Sequence, residues 1–175
     1  MESIPQETVQ EVHEEFNGVQ TEQLHERADE LHDWQPELMA FVQASIKRLD
    51  QDPADLLVYL FFMTCQMYRS FYGDDIQQVK PADIMEHYTA NEEVMDKKTQ
   101  GGEDEYEEAR FPPMDPEQPT VMDYLTEVLK NARGEEKENL TPGEQAYIFL
   151  VIRSVVAVLN EKIEQTPEPG ENPTM

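Results

Sequence analysis

Two adjacent segments repeat a carboxylate–histidine pattern: Glu22-Gln23-Leu24-His25-Glu26, then Asp29-Glu30-Leu31-His32-Asp33. On a helix Glu22, His25, Asp29 and His32 fall near one stripe, because positions three, four and seven apart share a face. Glu-x-x-His is half of the ligand spacing used by carboxylate-bridged di-iron bundles. Such a centre also needs carboxylates from other helices in apolar surroundings. Here the stripe is flanked by acidic residues, so a hydrated helix face with adventitious divalent binding is favoured over a specific metal site.

Arg153 lies in Tyr147-Ile148-Phe149-Leu150-Val151-Ile152-Arg153-Ser154-Val155-Val156, and Arg69 sits in an equally apolar stretch, likewise followed by serine. A guanidinium cannot shed its charge, since its pKa lies above ~12. Each must reach water, meet a carboxylate or bind an anion. With 38 acidic residues in the chain, an internal ion pair or snorkelling is favoured over an anion site. Cys65, the only cysteine, stands in the run Phe61-Phe62-Met63-Thr64-Cys65. It reads as an inert buried thiol rather than a nucleophile.

No glycine-rich phosphate loop, CxxC, HExxH or GxSxG pattern is present, and four scattered histidines assemble no triad. His87 reads as a half-buried ring, and Tyr106 as part of a solvated acidic loop. The aromatics Tyr59, Phe61, Phe62, Tyr68, Phe71 and Tyr72 spread around their helix as core residues rather than as a stacking platform. No catalytic residue and no cofactor is expected.

The elements that must position these residues are helical. Glycine is scarce and apolar residues recur at three- and four-residue spacing, which is the helical period. Residues 1–33 form an acidic N-terminal helical arm with a break at Asn17-Gly18. Residues 34–98 make a first helical half, 99–117 an acidic Pro/Gly-rich loop, 118–165 a second half, and 166–175 a Pro-rich tail expected to be disordered. The loop and the tail are the expected mobile parts of a single domain. Pro36 opens one helix at a position where a missing N–H costs nothing. Asp52-Pro53-Ala54-Asp55 and Thr141-Pro142-Gly143-Glu144 read as further starts, the latter with capping-box spacing.

The halves look related. Gln35-Pro36-Glu37-Leu38-Met39-Ala40-Phe41-Val42 lies over Gln118-Pro119-Thr120-Val121-Met122-Asp123-Tyr124-Leu125, and each copy leads into the most apolar helix of its half. The expected fold is therefore all-α: a bundle of about five to six helices built from two pseudo-repeated helical hairpins, about 34–72 and 118–165.

Charge narrows the function. Thirty-eight acidic residues against 13 basic give −25, which opposes direct nucleic-acid binding and docking on anionic membranes, since both draw on Lys and Arg. The two most apolar stretches fall short of a membrane span. The start of the sequence has no basic n-region and no apolar h-region, so no secretory signal is expected. A cytoplasmic location follows. The reading is a non-enzymatic acidic interaction module with a basic protein partner, a homodimer being one form it could take. The alternatives are a nucleic-acid-mimicking inhibitor of a DNA-binding protein, or a metal- or anion-binding bundle.

Overall fold

The structure is a computed structural model that describes residues 2–18, 21–99, 118–132 and 140–165. The fold is all-α, with seven helices and no strand among the described residues. The helices are α1 (Gln6–Phe16), α2 (Thr21–Trp34), α3 (Pro36–Ile46), α4 (Gln51–Tyr72), α5 (Pro81–Thr99), α6 (Pro119–Ala132) and α7 (Pro142–Gln165). Seven exceeds the five to six expected, because the N-terminal acidic stretch supplies two full helices. The loop at 99–117 and the tail at 166–175, expected to be mobile, lie almost wholly outside the described residues; only Thr99, the end of α5, is described.

The long apolar helices α4 and α7 pack against each other, and the rest surround them. α1 lies on α4 and α6, α5 lies on α7 and α3, and α2 lies on α3 and α4. The sparse apolar positions of the N-terminal stretch suffice to bury its helices. Ile4, Val9, Val12, Phe16 and Leu31 all enter the core, and each such side chain removed from water contributes roughly 1.5–3 kcal/mol. Glu7, Glu11, Glu14, Asp29 and Asp33 face outward, as amphipathic helices require.

Helix ends follow local chemistry. Asn17 N–H closes α1 on His13 O, and Gly18 then turns the chain with φ 94°. Gly73, at φ 91°, does the same after α4, a conformation that costs glycine little. α4 begins at Gln51 with Asp50 as N-cap, so Asp52 is not the cap and Pro53 sits third in the helix. The earlier start is permitted because the first N–H groups of a helix have no intrahelical acceptor, so proline there forfeits no bond. α7 begins with both bonds of the capping box: Glu144 N–H donates to Thr141 Oγ1 at 3.0 Å, and Thr141 N–H to Glu144 Oε1 at 2.9 Å.

Two glutamines tie extended segments into this frame. Gln35 and Gln118 each precede a helix-opening proline and are almost fully buried. Gln35 Oε1 accepts from Val79 N–H at 2.8 Å while its Nε2 donates to Gln77 O at 3.0 Å. Gln118 Oε1 accepts from Ile4 N–H at 3.0 Å, and its Nε2 donates to the Tyr72 hydroxyl at 2.6 Å. That hydroxyl donates in turn to Glu2 O. Beneath, Tyr68 donates to Asn160 Oδ1 at 2.6 Å. These bonds satisfy polar groups that would cost on the order of 1–3 kcal/mol each if buried alone.

Candidate functional site

A polar groove of about 530 Å³ opens where α1, α2 and the end of α4 meet. α1 contributes Glu15, α2 contributes Gln23, Glu26, Arg27 and Glu30, and α4 contributes Gln66, Arg69 and Ser70; Asp74 follows in the next turn. Positions 23, 26, 27 and 30 share one face of α2 because helical neighbours recur every three to four residues, as do 66, 69 and 70 on α4. Leu24 and Leu31 point elsewhere, into or against the core, which fixes the polar face of α2 toward the groove.

Two guanidinium groups form the floor. Arg27 pairs with Glu15 and lies 4.8 Å over the Phe16 ring. Arg69 Nε is 2.9 Å from Asp74 Oδ1, its Nη1 is 3.7 Å from Glu30 Oε2, and its guanidinium sits 5.5 Å over Trp34. The Arg27 and Arg69 side chains are 25% and 20% exposed, whereas Glu30 and Asp74 are 60% and 71% exposed. The cations therefore lie low, stacked on aromatic faces, and the carboxylates stand at the rim. Ser70 accepts from Gln66 Nε2 at 3.1 Å. The groove holds four carboxylates against two guanidiniums, and each guanidinium is already tied within the chain.

Of the residues singled out by sequence, Arg69 belongs to this groove, with acidic partners from α2 and the following turn. Arg153 lies instead on the α5–α7 seam, where its Nε donates to Asn91 Oδ1 at 3.0 Å. On the α2 stripe His25, Asp29 and His32 are exposed, while the Glu22 side chain lies outside the described ones. Among the described residues no group of three or more His, Cys, Asp or Glu side chains is placed to hold a metal ion. Cys65 is fully buried, and burial pushes its thiol well above the usual range against the opposing pull of Arg69.

Three polar contacts escaped the sequence reading because their partners are far apart in the chain. His13 Nδ1 meets the Tyr124 hydroxyl at 2.5 Å with the rings edge to face; burial and neighbouring Tyr59 raise the Tyr124 pKa to about 12. Lys162 Nζ lies 2.8 Å from Asp83 Oδ2, and His87 Nε2 lies 3.3 Å from Glu161 Oε2. With Asn91 also donating to Ser154 Oγ at 3.3 Å, positions 83, 87 and 91 form a polar stripe on α5 against α7. The sequence held one usable signal, the four-residue spacing of Asp83, His87 and Asn91.

No helix among the described residues is long and apolar enough to cross a membrane. What fold and groove define is an all-α protein with a carboxylate-rimmed polar groove. Comparison with protein-family models, with curated proteins and with solved structures returns no match.

Proposed function

We propose that this chain is a non-enzymatic helical interaction module, and that the groove between α1, α2 and α4 receives basic side chains of a protein partner. The observation that carries the reading is the layering of charge there. The guanidiniums lie at the floor, neutralised by Glu15, Glu30 and Asp74, so an approaching partner meets the exposed carboxylates of the rim. Exposed ion pairs are worth about 0–1 kcal/mol, so a partner's lysine or arginine can compete for Glu30 or Asp74. The net charge of −25 adds long-range attraction for basic surfaces and speeds encounter.

The test is an NMR titration of the full chain with a lysine- and arginine-rich peptide. Shift changes confined to α1, α2 and the end of α4, weakening steeply with salt and lost in Glu26→Lys/Glu30→Lys, are expected. Changes spread evenly over the surface, or unaltered in that variant, would make the acidity a matter of solubility alone.

We also propose that the fold contains an internal duplication in which the α3–α4 hairpin corresponds to the α6–α7 hairpin. Its support is the shared Gln-Pro start: Met39 N–H bonds back to Gln35 O, and Met122 N–H to Gln118 O, each at 3.1 Å. Both glutamine side chains then grip an extended segment that leads into another helix.

A further inference from the structure

The two glutamines do the same thing to more of the chain than the hairpins. Gln118 Oε1 takes the amide of Ile4, the residue just before Pro5, and Pro5 O accepts the first bonds of α1, from Thr8 and Val9. Gln35 Oε1 takes the amide of Val79, just before Lys80, whose carbonyl accepts the first bonds of α5, from Asp83 and Ile84. The second arm of each glutamine reaches two residues further back. For Gln35 it meets Gln77 O directly; for Gln118 the Tyr72 hydroxyl relays the bond to Glu2 O.

The register continues into the helices. Four residues past the start carbonyl, Val9 and Ile84 are both buried. Eight past it, His13 stands edge to face with Tyr124, at 5.6 Å and 74°. The same step from Lys80 brings Tyr88 edge to face with Phe41, at 5.9 Å and 77°. Phe41 and Tyr124 are each six residues beyond their glutamine. One offset thus relates α1 to α5 and another relates α3 to α6, and both hold at the latch and at the ring pair.

The latches are crossed: Gln118, at the start of α6, holds the segment before α1, and Gln35, at the start of α3, holds the segment before α5. α1 packs chiefly on α4 and also on α6, and α5 chiefly on α7 and also on α3. Resting on the duplication proposed above, we infer that it extends to the helices that precede each hairpin, α1 corresponding to α5, and that Gln35 and Gln118 are equivalent positioning residues, each latching the opening helix of the other unit. The two units therefore hold each other through a reciprocal pair of latches in addition to the α4–α7 contact.

Site-resolved hydrogen exchange on the full chain tests this. Gln118→Leu takes the acceptor from Ile4 N–H, and Gln35→Leu takes it from Val79 N–H. The expected result for Gln118→Leu is exchange roughly tenfold to a hundredfold faster in residues 2–16 and in α6, with α3 and α5 unchanged. Gln35→Leu is expected to give the mirror pattern, faster in 77–94 and α3, with α1 and α6 unchanged. Should either leucine variant not fold, Ile4→Ala and Val79→Ala trim the latched segments themselves and are expected to give the same two patterns at lower amplitude. Unequal responses, with one helix released and the other indifferent, would end the duplication. Equal responses in which α1 loosens with α2 and α3 while α6 keeps its protection would leave the duplication standing and overturn the cross-unit latch.

Discussion

Lys162 is only 5% exposed, and its ammonium lies 2.8 Å from the Asp83 carboxylate. The bond from Lys162 holds the Asp83 carboxyl below the usual aspartate range, outweighing the upward push of burial. Lys162→Met is expected to lower the urea midpoint by an amount worth about 1–3 kcal/mol, less than the ~3–5 of a sealed pair, because Asp83 keeps some solvent. The sign with pH follows from the lowered pKa. The folded state gains from the pair above the ordinary aspartate value near ~3.9 and loses that gain as pH falls further. Urea midpoints at pH 7 and pH 3 are therefore expected to separate parent from Lys162→Met at the higher pH and to converge at the lower. Along the same seam, Arg153→Ala and Asn91→Ala are expected to be coupled in a double-mutant cycle by roughly 0.5–1.5 kcal/mol. Strict additivity would mean that the Arg153 to Asn91 bond contributes nothing. The sequence placed Arg153 in an apolar helix, where it must reach water, meet a carboxylate or bind an anion. It could not name Asn91, which is 62 residues away.

At the level of the helices, starts were more legible than ends. Prolines 36, 81, 119 and 142 each occupy the first helical position, which proline's fixed φ and missing N–H suit well. The Thr141–Glu144 box was likewise readable, since its two bonds need only a spacing of three. Thr141→Ala is expected to cost about 0.5–2 kcal/mol, read as a lower thermal midpoint, while Thr141→Ser is expected to restore it. The end of α3 is less clear: its apolar spacing, Leu38, Val42 and Leu49, runs on to Leu49, yet the helix stops at Ile46. There the Tyr147 hydroxyl donates to Ser45 O at 3.1 Å, a bond from α7 that no local pattern predicts. The groove was illegible for the same reason. Glu15, Arg27, Arg69 and Asp74 come from three helices and a turn, and only packing brings them together.

Across the whole molecule, the apolar helices α4 and α7 are shielded on several sides by amphipathic ones, and Cys65 lies within that shield. A thiol so buried and so poorly ionised reacts only when the shield opens. Its labelling by an aromatic disulfide reagent is expected to be slow in native buffer, and to accelerate with urea in parallel with unfolding. Fast labelling in native buffer, with the fold intact, would show that α4 breathes independently of the rest. The pattern of apolar residues was enough to fix the helical class. The number of helices was not, because an acidic stretch with an apolar residue only every third to seventh position still forms α1 and α2 once α4 supplies a surface to cover.

Trp34 has so far figured as a platform under Arg69. It is also the chain's single indole, and its Nε1 donates to the carbonyl of Asp74 at 3.1 Å. The fluorophore thus shares one residue with the groove's rim and one with its floor. Any occupant that draws Asp74 or Arg69 aside changes the polarity and the quenching around that ring. If basic side chains enter the groove as proposed, unlabelled protein is expected to report it through the colour and yield of its own emission.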